Sequence, residues 1–216
     1  MNRLDHAGTL QAINRTVNPW ESIGRELPWV IFLFSIYFAI YFSPALLQGR
    51  LLAPGDGAIY YLPALLSPAA WWNHGLYAGH PAFADPQALV FSPLRLLGSD
   101  YNLAVISIYV IASTGMYCLV RGLTGLPIAG VFCALVYGSG GAMVAHLGHL
   151  SIIYTAAWIP WILASIARAR SSGPRWAIVL GAIGIGLATL GGHPQILVYG
   201  LLLAALYSIF SLLIVR

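Results

Sequence analysis

Apolar residues run through the chain in six long stretches, near Pro28–Leu47, Tyr101–Val120, Ile128–Leu147, Ser151–Ala167, Trp176–Leu190 and Ile196–Val215. Each approaches the roughly 20 residues that an α-helix needs to cross a hydrocarbon core. The pattern predicts an all-α, polytopic transmembrane helix bundle of about six spans, folded as a single domain over residues 1–216. Polar positions collect between the spans, very unequally. Gly122–Pro127 and Ala169–Arg175 are short connections, and His149 and Gly191–Gln195 occupy brief turns. Residues 48–100 form one long loop instead.

That loop is not compositionally disordered. It carries Tyr60, Tyr61, Trp71, Trp72, Tyr77, Phe83 and Phe91 among leucines, content that disordered segments lack. Short helices lying in the membrane interface are expected there, where tryptophan and tyrosine are favoured. Pro63, Pro68, Pro81, Pro86 and Pro93 should break them into pieces.

Composition agrees with the pattern. The chain is 59% hydrophobic and 7% charged, with a mean hydropathy of +0.81. A soluble domain of this size could not solvate such a surface. The net charge of +4 comes from arginine without any lysine; it is small and points to no nucleic-acid partner. The arginines orient the chain. Arg3, Arg15 and Arg25 precede the first span, Arg121 follows the second, Arg168, Arg170 and Arg175 follow the fourth, and Arg216 follows the sixth. Only Arg50 and Arg95 lie on the other side. This predicts cytoplasmic termini, a cytoplasmic segment over residues 1–27 and an extracytoplasmic loop over 48–100. The first apolar run is too long for a cleavable h-region, so it reads as a retained signal anchor. Cys118 and Cys133 fall near cytoplasmic helix ends, where no structural disulfide is expected.

Two small-residue patterns predict close helix packing: Gly130, Ala134, Gly138 and Ala142 in the third span, and a weaker pair, Ala182 and Gly186, in the fifth.

The orientation sends five of six histidines and three of six acids to the outer face. The long loop supplies Asp56, His74, His80, Asp85 and Asp100; the turns supply His146, His149, His193 and Gln195. A bundle fold could gather these into a polar patch at headgroup depth. Each residue also has a plainer role. Asp56 lies in Pro54-Gly55-Asp56-Gly57, which suits an ordinary turn. Asp85 precedes Pro86 and suits an N-cap, and Asp100 suits the cap of the second span. His74 reads as interfacial. His146 and His149 have a spacing that can share a helix face as ligands, although histidines in such turns more often bond loop carbonyls. No strong metal motif, nucleotide fingerprint or serine triad is present.

The order Pro54-Gly55-Asp56-Gly57, Tyr60-Tyr61-Leu62-Pro63, Trp72-Asn73, Gly79-His80-Pro81, Asp85-Pro86-Gln87, Phe91-Ser92-Pro93-Leu94 and the later Gly191-Gly192-His193-Pro194-Gln195 resembles the YfhO-like bacterial membrane proteins, from the first span to the chain end. These are similar to GT-C glycosyltransferases, which use polyprenyl-phosphate-linked sugars. The resemblance implies an acid on the first outer loop, matched by Asp56, acting as general base or as ligand to a divalent metal such as Mg or Mn. Asp85 is the candidate second acid. His80, Gln87, Arg95, His149, His193 and Gln195 are candidate substrate-binding residues, with Arg50 or Arg95 neutralising the donor phosphate and snorkelling to headgroups as their plainer role. The partners implied are membrane lipids, a polyprenyl-phosphate-linked sugar and an envelope polymer or lipid acceptor. Family members run longer, so this chain is expected to correspond to the N-terminal module, which puts activity of the short chain alone in question. A transporter or flippase of lipid-linked precursors and a non-catalytic assembly subunit are the competing readings; the absence of charge at span centres argues against ion-coupled transport.

Overall fold

The computed structural model describes residues 18–67, 71–74, 78–97 and 100–214. Expectations placed on residues 1–17, including Arg3 and Arg15, and on Pro68, Tyr77 and Arg216 lie outside the described residues. The architecture is an all-α helix bundle. Among the described residues there is no strand, only one isolated antiparallel bridge between Asn73 and His80. In chain order the helices are α1 (Pro19–Tyr41), α2 (Ser43–Leu46), α3 (Leu62–Leu66), α4 (Tyr101–Thr124), α5 (Pro127–Gly138), α6 (Gly141–Ala145), α7 (Leu150–Ser172), α8 (Pro174–Thr189) and α9 (Pro194–Ile214). Five spans, with α5 and α6 counted together, are long and apolar enough to cross a membrane. The shorter α8 packs along α7 as a sixth element. The chain is thus a multi-pass membrane protein.

The helices run up and down between two ends. One end carries the long loop with the turns at 146–149 and 191–193. The other carries Trp20, Arg121 and Arg168. Helices α4 and α7 form the centre, with 67% and 61% of their apolar windows buried, against 22% or less for α1, α5–α6 and α9. Helix α4 packs on α1, α5 and α7; α7 also carries α8 and α9. The outer faces of α5 and α9, such as Phe132, Leu202 and Leu206, stay exposed, as lipid-facing surfaces do.

The first helix starts earlier than the expected Pro28. Asn18 caps it, its Oδ1 accepting the Trp20 N–H at 3.1 Å, and Pro19 sits where its missing N–H costs nothing. Burial of Trp20 and Ile23 holds this extra turn in the helix, and the Trp20 ring lies directly over Gly122. Pro28 is therefore inside the helix.

The extension delivers Glu26 to the inside of the bundle. Its carboxylate takes two parallel bonds from Arg121, Nη2 to Oε1 at 3.0 Å and Nε to Oε2 at 3.1 Å, and a third from the Tyr117 hydroxyl at 2.5 Å. Arg121 Nη1 also donates to the Gly125 carbonyl at 2.6 Å. This fork ties α1 to α4. Glu26→Gln is expected to cost about 1–2 kcal/mol, the lower range for a stranded charged donor, because the pair is partly exposed. Thermal unfolding in detergent micelles checks this; an unchanged midpoint would mean that the fork contributes nothing.

Of the small residues in the third span, Gly130 faces Tyr117, Gly138 faces Ser113 and Phe38, and Ala134 is fully buried. Ala142 is exposed, because the helix breaks at Ser139–Gly140 and restarts as α6. The expected pair in the fifth span is corrected. Ala182 and Gly186 face outward, and the buried small residues of α8 are Ala177, Gly184 and Ala188. The register of α8 is set by the neighbour it packs on, α7, where Gly184 meets Ile162.

Among the described loop prolines, Pro86 opens the 3-10 turn Pro86–Ala88 and Pro93 opens Pro93–Leu97, whereas Pro63 follows the π turn within one continuous helical run. At a first helical position the absent N–H is no loss.

Candidate functional site

Asp56 leads directly into a π-helix, Gly57–Tyr61, which runs on into α3. The wide turn closes through the Leu62 N–H to the Gly57 carbonyl. Such π turns are rare and concentrate at functional sites. The segment is anchored at its start by Asn102 of α4, whose Oδ1 accepts the Leu52 N–H at 2.8 Å and whose Nδ2 donates to the Arg50 carbonyl at 3.1 Å. Asp100 caps α4 beside it, accepting the Leu103 N–H at 2.9 Å, which is its plainer reading.

Two turns of the bundle press on the loop, each through a glycine. A Cβ at Gly148 would stand 2.2 Å from the Pro54 carbonyl oxygen, and one at Gly192 would stand 2.0 Å from that of Pro86. The first joint sets His149 beside Asp56, with Nε2 to Oδ2 at 3.3 Å. The second sets His193 on the same cavity. His146 turns away, its Nδ1 at 2.7 Å from the Ala142 carbonyl, as the plainer reading of turn histidines expects.

Asp85 caps the 3-10 turn that follows it, its Oδ1 taking the Gln87 N–H at 2.9 Å. Its other oxygen accepts the Tyr60 hydroxyl and lies 3.8 Å from His80 Nε2. Capping and cavity lining are thus both true of this residue. Tyr61 lies between loop and bundle: its hydroxyl pairs with Ser151 Oγ at 2.7 Å and donates to Gln87 Oε1 at 3.2 Å. Burial first, then the charges of Asp56 and Asp85, push the Tyr61 hydroxyl above its ordinary pKa, so it remains a proton donor at neutral pH.

The result is a cavity of about 1000 Å3. Seven of the eight candidate catalytic and substrate-binding residues line it: Asp56, His80, Asp85, Gln87, Arg95, His149 and His193. Gln195 does not. It begins α9 on an exposed face and donates to the Tyr199 hydroxyl at 2.9 Å, because the helix starting at Pro194 turns it away. Arg95 lines the cavity but acts as a strut. Its guanidinium donates to the carbonyls of Leu89, Ser67, Ala64 and Ala88, which joins loop segments. Arg50 is exposed and does not line the cavity.

Tyr60, Tyr61, Trp72, Asn73 and His74 also line it. The sequence reading took the aromatic residues as interfacial. The signal was spacing: Asp56 and Tyr60 lie four apart, within one helical turn. The Asn73–His80 bridge and the packing of Trp72 on Gly79 bring Trp72 and His80 together, which spacing does not reveal.

Among the described residues, no three His, Cys, Asp or Glu side chains converge as a metal-ligand set.

Burial, then the neighbouring His149 and His146, hold the His193 pKa below its ordinary value of 6.5. The charged imidazolium is disfavoured in the folded state, so the stabilising contribution is full above 6.5 and is lost as pH falls towards the depressed value. Wild type is expected to lose more stability than His193→Asn on moving from pH about 7.5 to about 5.5. Parallel losses in micelle melting curves would overturn this.

Compared with known proteins, the chain matches no protein-family model, no curated protein and no solved structure.

Proposed function

We propose that this chain is a membrane glycosyltransferase of GT-C-like type, or the N-terminal module of one. It transfers a sugar from a polyprenyl-phosphate donor to an envelope polymer or lipid. The observation that carries the reading is the Asp56–His149 pair on the wall of a large cavity at one end of an apolar bundle. The membrane positions the lipid donor and the cavity takes the acceptor, which converts a two-body encounter into a local one. Asp56 accepts the proton of the acceptor hydroxyl. The acceptor oxygen forms a bond to the anomeric carbon as the bond from that carbon to the phosphate oxygen breaks, and polyprenyl phosphate leaves. His149, 3.3 Å away, orients the carboxylate, and neutral His193 offers a hydrogen bond to the departing phosphate.

In this reading the chain lies in a bacterial inner membrane, with the arginine-bearing end cytoplasmic and the cavity outside. Two experiments test it. Liposomes holding the purified chain and a radiolabelled polyprenyl-phosphate hexose should yield a labelled acceptor in a membrane extract. The label remaining wholly on the polyprenyl lipid would remove the reading of this chain as a transferase by itself. In a background without native cysteines, an impermeant thiol reagent should label Ala84→Cys but not Arg175→Cys in intact cells. The reverse pattern would invert the topology.

A further inference from the structure

We infer that the Trp72–Asp85 side of the cavity is a carbohydrate subsite, which takes a pyranose by stacking on the Trp72 indole and by hydroxyl bonds to the Asp85 carboxylate. It deepens the proposed transfer reading by naming the acceptor's chemistry, and it rests on the same cavity.

Four observations carry it. Trp72 lines the cavity with 47% of its surface exposed. It is held in place: its neighbour Asn73 exchanges two backbone bonds with His80, at 2.8 and 3.0 Å. Gly79 lies so close under the indole that a Cβ there would stand 2.7 Å from Nε1. An aromatic plane fixed at a cavity wall is a surface for the C–H face of a sugar ring, which is apolar while its rim is polar.

The second observation is the Asp85 carboxylate, within reach of the same hairpin through His80 at 3.8 Å. A carboxylate offers about four acceptor positions. The Tyr60 hydroxyl and the Gln87 N–H occupy two and fix its plane, which leaves acceptor capacity for a pair of adjacent hydroxyls. The third is Gln87, whose amide adds donors to the same cavity while the Tyr61 hydroxyl holds its Oε1. The fourth is charge. Arg95 directs its guanidinium at four carbonyls, and the carboxylates of Asp56 and Asp85 both face the cavity. On the Trp72–Asp85 side this balance favours a neutral ligand rich in hydroxyls.

The test needs no donor and no turnover. Saturation-transfer NMR on the purified chain in micelles would use methyl glycosides of glucose, galactose, mannose and N-acetylglucosamine, with glycerol and inorganic phosphate as controls. At least one glycoside should bind in the millimolar range, with glycerol silent. Trp72→Ala and Asp85→Asn should each weaken it at least about tenfold, Trp72→Phe should restore part of it by keeping a ring, and Gly186→Ala, with nothing within 4 Å, should leave it unchanged. No binding by wild type, binding that survives both substitutions, or displacement of the glycoside by phosphate would overturn the subsite. Binding that follows this pattern in a chain that transfers no sugar would support the subsite while removing the transfer reading.

Discussion

Asp56→Asn is expected to lower the rate of sugar transfer by about 100-fold or more, equivalent to about 2.7 kcal/mol in the barrier. The substitution preserves size and most hydrogen-bonding capacity and removes the charge. With a side chain 63% exposed on the cavity wall, Asp56 has little to do with stability, and its loss should leave the melting temperature nearly unchanged. The plainer reading predicts the opposite: a turn aspartate would cost local stability of about 1 kcal/mol and no activity. His149→Gln supplies the companion measurement. If His149 orients the carboxylate, kcat should fall less than in Asp56→Asn, and the double variant should be little worse than Asp56→Asn alone. A folded Asp56→Asn protein that transfers sugar at the wild-type rate would end the catalytic assignment. Asp85→Asn separates a second acid from a sugar-binding group: a raised KM with kcat retained belongs to binding, and equal losses in kcat and kcat/KM to chemistry.

Gly192→Val is expected to unseat the loop from the bundle. A Cβ at this position would lie 2.0 Å from the Pro86 oxygen, and the backbone sits at φ +77°, where a β-branched residue is strained. Overpacking costs about 1–3 kcal/mol, and the left-handed conformation adds about 1 kcal/mol or more. Backbone rather than a flexible side chain forms the opposing surface, so the clash has no cheap relief. The joint carries Pro86 and, beside it, Asp85 and Gln87, so both glycoside binding and transfer should be lost together. Helical circular dichroism should persist, because the bundle core lies on α4 and α7. Gly148→Val, opposite Pro54, should act likewise on the Asp56 side. Gly186→Ala is the control: nothing lies within 4 Å of it, and alanine in a helix is neutral or stabilising. Normal glycoside binding by both Gly148→Val and Gly192→Val would show that the joints do not hold the site.

Much of the bundle was legible in the chain because hydrophobic length is a local property. Stretches from Tyr101, Ser151 and Ile196 announced α4, α7 and α9 to within a few residues, since a membrane span must satisfy its backbone within itself. The start of α1 was set too late. Pro28 looked like a boundary, although Asn18-Pro19 is a local capping signal, and the packing of Trp20 on Gly122 and of Glu26 on Arg121 holds the residues before Pro28 in the helix. The face of α8 was misread for a similar reason. Ala182 and Gly186 have the right spacing, but a nearly all-apolar helix has several small-residue faces, and contact with α7 selects among them.

The candidate residues divide in the same way. Asp56, Asp85, His149 and His193 drew attention because polar side chains among apolar spans are few and carry a solvation cost. Their type and their side of the bundle followed from order along the chain. Their meeting did not, because it depends on two glycine-to-carbonyl joints between segments far apart in sequence. Gln195 and Arg95 show the limit most clearly. Both are polar, and both sit at the loop end. One is carried outward by the first turn of α9, and the other is drawn into carbonyls of its own loop. Helix class, span number and the inventory of polar groups were properties of the sequence, set by the burial of apolar surface and the periodicity of the helix. Which of those groups share a cavity was decided only by tertiary contacts, since direction in space depends on the neighbours each backbone packs against.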